Sequence, residues 1–189
     1  MLRPLYDRTM ALAGHRHANW ALAAVSFIES SVFPIPPDVM LIPMVLAQRH
    51  KALLIATICT VASVMGGLLG YVIGLFLFEN IGQPILDFYS YGEKFASFQS
   101  RYNEWGVWIV LIAGLTPFPY KVITIASGVT GLSLPVFVIA SIFARGARFA
   151  IVAALLWKFG ESIQNFIDRY LGILCTVFIA LLIGGIALV

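Results

Sequence analysis

The chain has 189 residues, 60% of them hydrophobic and only 11% charged, and its mean hydropathy is +0.93. Those proportions exclude an ordinary water-soluble domain. The formal charge of +3 and pI near 9.0 arise from scattered basic residues, so they read as a membrane-topology signal and nucleic acid is not an expected partner.

In chain order, residues 1–18 carry Arg3, Arg8 and Arg16 but lack the long apolar core and small-residue cleavage site of a signal peptide, so a retained cytoplasmic segment is expected. His15 and His17 flank Arg16 and read as surface residues, not metal ligands. Two short apolar runs follow, Asn19 to Phe33 and Val39 to Gln48, separated by Pro34-Ile35-Pro36-Pro37-Asp38. Proline lacks an N–H and clashes with the preceding turn, so Pro34, Pro36 and Pro37 must end a helix. A re-entrant hairpin over 19–48 is expected, then a transmembrane helix over 52–78 long enough to cross about 30 Å of hydrocarbon. Ala62, Gly66, Gly70 and Gly74 form a small-residue ladder within it, suited to close helix contact.

Over 80–105 the aromatic residues Phe88, Tyr91, Phe95, Phe98, Tyr102 and Trp105 step by 3 or 4, which predicts an amphipathic interfacial connector or a packing helix. The proline break then recurs 83 positions after the first. Val107 to Thr116 is apolar, Pro117-Phe118-Pro119-Tyr120-Lys121 interrupts it, and a second hairpin over 107–132 leads into a transmembrane helix over 135–157. At that offset Pro34 falls on Pro117, Pro36 on Pro119, Val39 on Val122 and Asp38 on Lys121. A C-terminal transmembrane helix is expected over 159–189. The expected fold class is therefore an all-α polytopic membrane protein with two repeats, 19–79 and 106–158. Charge placement favours inverted repeats with a cytoplasmic N-terminus, since Arg49, Lys51, Lys158 and Arg169 join the N-terminal arginines on one side and Lys94 and Arg101 stay on the other. Two short full spans in place of each hairpin would give the same sidedness.

Ionisable groups at membrane depth cost about 2.5–3.5 kcal/mol each on insertion scales, so each needs a reason. Five such residues stand out: Glu29, Asp38, Lys121, Arg145 and Arg148. A buried cluster that only fixes packing is one reading. The excess of base over acid favours another, in which Lys121, Arg145 and Arg148 bind the phosphate of a substrate while Glu29 and Asp38 exchange protons. Ser30, Ser31, Thr116, Thr124 and Ser127 lie near the breaks, where hydroxyls can satisfy freed backbone groups. Cys59 and Cys175 sit in apolar spans and read as small hydrophobes. No catalytic motif, metal site or cofactor signature is visible, so a non-enzyme is expected.

The segment Glu29-Ser-Ser-Val-Phe-Pro34-Ile-Pro36-Pro37-Asp38, paired with Gly114-Leu-Thr-Pro117-Phe-Pro119-Tyr-Lys121 and Ala126-Ser-Gly128, resembles the two motifs of the DedA family, also called the VTT or SNARE-associated domain. The resemblance spans roughly Trp20 to Trp157. The step before the second proline reads Gly114-Leu115-Thr116 where the family usually has Gly-Arg-aromatic, a pattern similar to the YqaA-like branch. The resemblance implies a bacterial inner-membrane protein with re-entrant hairpins that moves polyprenyl phosphate or phospholipid between leaflets, often with dependence on the proton gradient. It also implies that Glu29 and Asp38 match the family's essential acids. Expected partners are membrane lipids, undecaprenyl phosphate or a phospholipid among them, and protons, with a homodimer as one arrangement. Two other functions stay open: a non-transporting membrane-assembly factor and a small-ion or solute transporter.

Overall fold

A computed structural model describes residues 17–31, 36–89, 91–116 and 119–187, with side chains throughout except at Asp87 and over 161–187. Among the described residues every regular element is helical: α1 (Ala18–Ser31), α2 (Asp38–Ala47), α3 (Ala52–Leu77), α4 (Gln83–Tyr89), α5 (Gly92–Leu115), α6 (Tyr120–Val129) and α7 (Leu134–Ala187). A single 3₁₀ turn, Arg49–Lys51, joins α2 to α3, and a π turn, Phe78–Gly82, leads from α3 into α4.

Two stretches, Arg49–Leu86 and Leu134–Gly160, are long and apolar enough to cross a membrane. Their polarity is inverted relative to a soluble helix. On α3 the buried face reads Ile55, Cys59, Ser63, Gly66, Gly70 and Gly74, while Val61, Met65, Leu69, Val72 and Phe76 point outward. On α7 the buried face holds Ala140, Ser141, Ala144, Arg145 and Phe149, and Ile139, Phe143, Ile151 and Leu155 face out. Small and polar groups inside with large apolar groups outside is the arrangement that lipid, not water, favours.

The glycines set how closely the helices approach. A Cβ at Gly66 would collide with the Phe27 carbonyl of α1, one at Gly74 with the Ile125 carbonyl of α6, and one at Gly128 with the Tyr71 carbonyl of α3. The ladder expected from Ala62 to Gly74 is thus the seat for two neighbouring helices. Each long helix packs against the first arm of its own half and the second arm of the other: α3 against α1 and α6, α7 against α5 and α2. The two long helices also pack on each other.

Both breaks restart the chain in the same way. Val39 N–H donates to the Pro36 carbonyl at 3.2 Å and Val122 N–H to the Pro119 carbonyl at 3.0 Å, so each second arm begins on a proline whose fixed φ suits a first turn. Pro34 and Pro117, expected at the same breaks, lie outside the described residues, as do Arg3, Arg8, Arg16 and His15. The second arms, α2 and α6, have 10 residues each. At 1.5 Å per residue each covers about 15 Å, half of a hydrocarbon core. At the far end of α6, Gly131 has φ +63° and the Leu132 N–H reaches back to the Ser127 carbonyl at 3.0 Å, a Schellman ending that only glycine accommodates cheaply.

Two expected boundaries differ. The aromatic connector over 80–105 is not one helix: the chain breaks between α4 and α5, and α5 runs on through the first arm expected from Val107 to Thr116. Its stripe is also divided, because Tyr102 turns inward to Ser127 at 3.1 Å while Phe88 and Trp105 stay exposed. The separate helices expected over 135–157 and 159–189 form one continuous helix to Ala187, since no proline or proline-like break intervenes. From residue 161 on, the side chains of the expected C-terminal span lie outside the described set.

Candidate functional site

The proline breaks deliver four ionisable side chains to one place. Glu29 lies in the last turn of α1, two residues before the end of that helix at Ser31, and Asp38 opens α2. An acid in the first turn of a helix is favoured by the free N–H groups there. Arg145 and Arg148 stand one turn apart on α7 and share a face.

Arg145 is fully buried. Its Nη2 donates to Glu29 Oε2 at 3.1 Å and its Nε to Ser63 Oγ of α3 at 2.6 Å. Ser63 Oγ is 2.6 Å from Ser30 Oγ, and Ser30 in turn donates to the same Glu29 oxygen at 3.1 Å. Both ends of this chain have fixed polarity, since guanidinium only donates and carboxylate only accepts. The Ser63 hydroxyl must therefore donate to Ser30, so both branches of the ring, the direct one and that through Ser63 and Ser30, run from the guanidinium to the carboxylate. The guanidinium lies over two rings, with its carbon 4.8 Å from the Tyr120 ring centre and 4.7 Å from that of Phe149. Tyr120 is itself buried and held by a 2.6 Å bond to Ser141.

The second pair is more open. Arg148 Nη2 donates to Asp38 Oδ2 at 2.8 Å, with side-chain exposures of 19% and 25%. Arg148 Nη1 reaches the Thr116 carbonyl at 3.3 Å. That carbonyl is free because Thr116 precedes a proline and takes extended backbone (φ −84°, ψ 166°), which ends α5. The break is thus a source of polar backbone for the site. Among the described residues, two buried polar atoms of the cluster have no hydrogen-bond partner: Arg145 Nη1 and Asp38 Oδ1.

Four of the five expected charges therefore come together, but not as an uncompensated basic site. Each arginine is already paired with an acid, and each pair joins the first half of the chain to α7. Lys121 follows Tyr120 in the first turn of α6 and is half-buried, with its carbonyl accepting Thr124 Oγ1 at 2.8 Å. Its position beside the ring that stacks on Arg145 puts it next to the cluster along the chain. Among the break-region hydroxyls, Ser30 enters the ring and Thr116 contributes its carbonyl. Thr124 instead packs beside Gly70, and Ser31 bonds back to Phe27 and Ile28. Sequence reasoning missed Ser63, Tyr120 and Phe149. Phe149 had a signal, being four residues after a buried arginine on the same helix face. Ser63 had a weaker one, as a hydroxyl one position beyond Ala62 in the glycine ladder. No group of three or more metal-ligating side chains occurs among the described residues.

Comparison with known proteins gives a family model, the VTT domain, matching residues 35–158. A protein of Haemophilus influenzae is 42% identical over 158 residues, covering 84% of this chain and 82% of its own length. A second, from Histophilus somni, is 39% identical over 168 residues and 87% of each chain. Both are described as uncharacterized. No solved structure matches.

Proposed function

The chain belongs to the VTT-domain (DedA) family of membrane proteins, and from that premise we propose that it carries a phosphate-bearing lipid, polyprenyl phosphate or phospholipid, between the leaflets of a bacterial inner membrane in exchange for protons. The observation that carries this reading is the pair of crossed ion pairs, Glu29–Arg145 and Asp38–Arg148, placed where the broken segments meet α7. Guanidinium binds phosphate as well as it binds carboxylate, so a phosphate can replace an acid on Arg148 without leaving the arginine unpaired. The four groups sum to zero charge. A phosphate monoanion arriving at Arg148 would add one negative charge, and a proton taken by Asp38 cancels it. Substrate entry and proton uptake are coupled in this way by the cost of net charge at low dielectric.

In this reading α1–α2 and α5–α6 are re-entrant hairpins entering from opposite faces, the N-terminus is cytoplasmic and the chain works without catalysis or a cofactor. The crossed packing of long helices and second arms supports inverted repeats, because exchanging the two halves leaves that list of contacts unchanged. Arg148 acts as the exchangeable phosphate ligand, Arg145 holds the site in shape, and Lys121 adds positive charge at the tip of the second hairpin.

The test is reconstitution in liposomes with labelled lipid phosphates, with and without a pH gradient. Transfer should occur for at least one lipid phosphate, fall at least tenfold in Arg148→Gln, and lose its response to the gradient in the Glu29→Gln/Asp38→Asn double variant. Gradient-driven transfer that survives the double replacement would refute the proton exchange. A second reading, that the cluster only fixes packing, is favoured by the closed ring around Arg145. It takes precedence if no lipid is moved.

A further inference from the structure

The two long helices occupy matching places in the two halves of the chain, yet the faces they offer to the broken segments differ. At the offset that aligns Pro36 with Pro119, the small ladder Ala62, Gly66, Gly70 and Gly74 of α3 falls on Arg145, Phe149, Ala153 and Trp157 of α7. Small residues bring helix backbones into contact, whereas bulky ones hold them apart. On α3 the arms α1 and α6 accordingly pack against each other as well as against the long helix. They meet over Gly70, where a Cβ would collide with Thr124 Oγ1 of α6 and come within 3.5 Å of the Ser30 carbonyl of α1.

Among the described residues the equivalent arms α5 and α2 each pack on α7 but have no comparable packing on one another. The end of one and the start of the other are joined across the Arg148 side chain. Its Nη1 donates to the Thr116 carbonyl at the end of α5 at 3.3 Å, and its Nη2 to Asp38 Oδ2 at the start of α2 at 2.8 Å. Backbones held together over a glycine have no other partner to turn to, whereas a guanidinium can exchange a carbonyl and a carboxylate for the oxygens of a phosphate. This seam is also partly open. Arg148 and Asp38 keep side-chain exposures of 19% and 25% where Arg145 has none, and the adjacent Val39, Leu115 and Ile151 are exposed apolar side chains. An ion pair left open beside such groups in a membrane-embedded chain lies at the border between protein and bilayer.

We propose that the seam on α7 is a lateral portal latched by Arg148, and that the seam on α3 is its fixed counterpart. The phosphate head of a bilayer lipid displaces the Thr116 carbonyl and Asp38 from Arg148, the ends of α2 and α5 separate, and the hydrocarbon tails stay in the membrane beside Val39, Leu115 and Ile151. Recognition is confined to the head group, because the tail never enters the protein. The identity of the passenger rests on the transport function proposed above; the latch rests on the packing of the arms and the bonds of Arg148.

Spin labels in a cysteine-free background test the latch, one pair at Val39→Cys and Leu115→Cys across the α7 seam and one at Ile28→Cys and Val122→Cys across the α3 seam; all four positions are exposed. In phosphatidylcholine nanodiscs each pair should give a single narrow distance distribution. Arg148→Gln, or phosphatidic acid added to the nanodisc around the unaltered latch, should lengthen and broaden the distance across the α7 seam and leave that across the α3 seam in place. Asp38→Asn, which removes the charge and keeps an oxygen for Arg148, should move it the same way by less. A distance across the α7 seam that ignores either Arg148→Gln or phosphatidic acid, or equal changes at the two seams, would overturn the proposal. In liposomes, a cleavable bis-maleimide joining the α7-seam pair should stop lipid phosphate transfer until it is cut, and one joining the α3-seam pair should not. Transfer through a cross-linked α7 seam overturns the portal and leaves the transport function standing. A seam that opens to phosphatidic acid while no lipid is moved removes the transport function and leaves the latch standing.

Discussion

Breaking the Glu29–Arg145 pair from each side separately exposes what the burial of Arg145 requires. Arg145 has no solvent exposure, the Glu29 side chain has 16%, and guanidinium does not deprotonate in a protein. Glu29→Gln keeps an oxygen for Arg145 Nη2 but removes the carboxylate that, among the described residues, is bonded to it, leaving a buried cation supported by Ser63 and the two rings. Removing one partner of a buried pair costs about 3–5 kcal/mol, and the two aromatic contacts are the same before and after, so with Gln still accepting from Nη2 a loss at the lower end, about 3 kcal/mol, is expected. Arg145→Met removes the cation together with its hydrogen bonds and should cost a similar amount. The double variant Glu29→Gln/Arg145→Met removes both charges of the ring and puts a flexible apolar chain beside Tyr120 and Phe149. It should therefore be less destabilised than the sum of the singles by at least about 1 kcal/mol. For a protein of this size each kcal/mol moves the Tm by about 2–4 °C, so each single variant should lose about 6–12 °C in a detergent scan. Additive losses in the double variant would refute the ring as drawn.

Two further outcomes follow from the packing and the topology. Gly74→Leu drives a side chain into the Ile125 carbonyl and should destabilise by more than the about 1–3 kcal/mol of ordinary overpacking, because backbone cannot rotate away; Gly92→Leu, with nothing within 4 Å of a Cβ, is the control and should stay within about 0.5 kcal/mol. In a cysteine-free background, His50→Cys and Ser133→Cys should react with a membrane-impermeant thiol reagent from opposite faces. Labelling of both from one face would remove the inverted arrangement.

Much of this protein was legible along the chain, because lipid as solvent demands long uninterrupted apolar stretches and proline must interrupt them. The two long helices, the paired breaks at Pro36 and Pro119, and the four ionisable residues that meet were all visible as departures from a monotonous composition. The glycine ladder was visible too, since only the smallest residues permit backbone contact. What the chain alone could not decide is who pairs with whom. Counting charges set three bases against two acids and pointed to an open basic site, whereas folding across the two halves put Glu29 on Arg145 and Asp38 on Arg148. Ser63 and Tyr120 look unremarkable in sequence and acquire their roles only when α3 and α6 are laid beside α7. Local pattern reports which groups are costly to bury; only the three-dimensional crossing of distant segments determines which partner makes each burial tolerable.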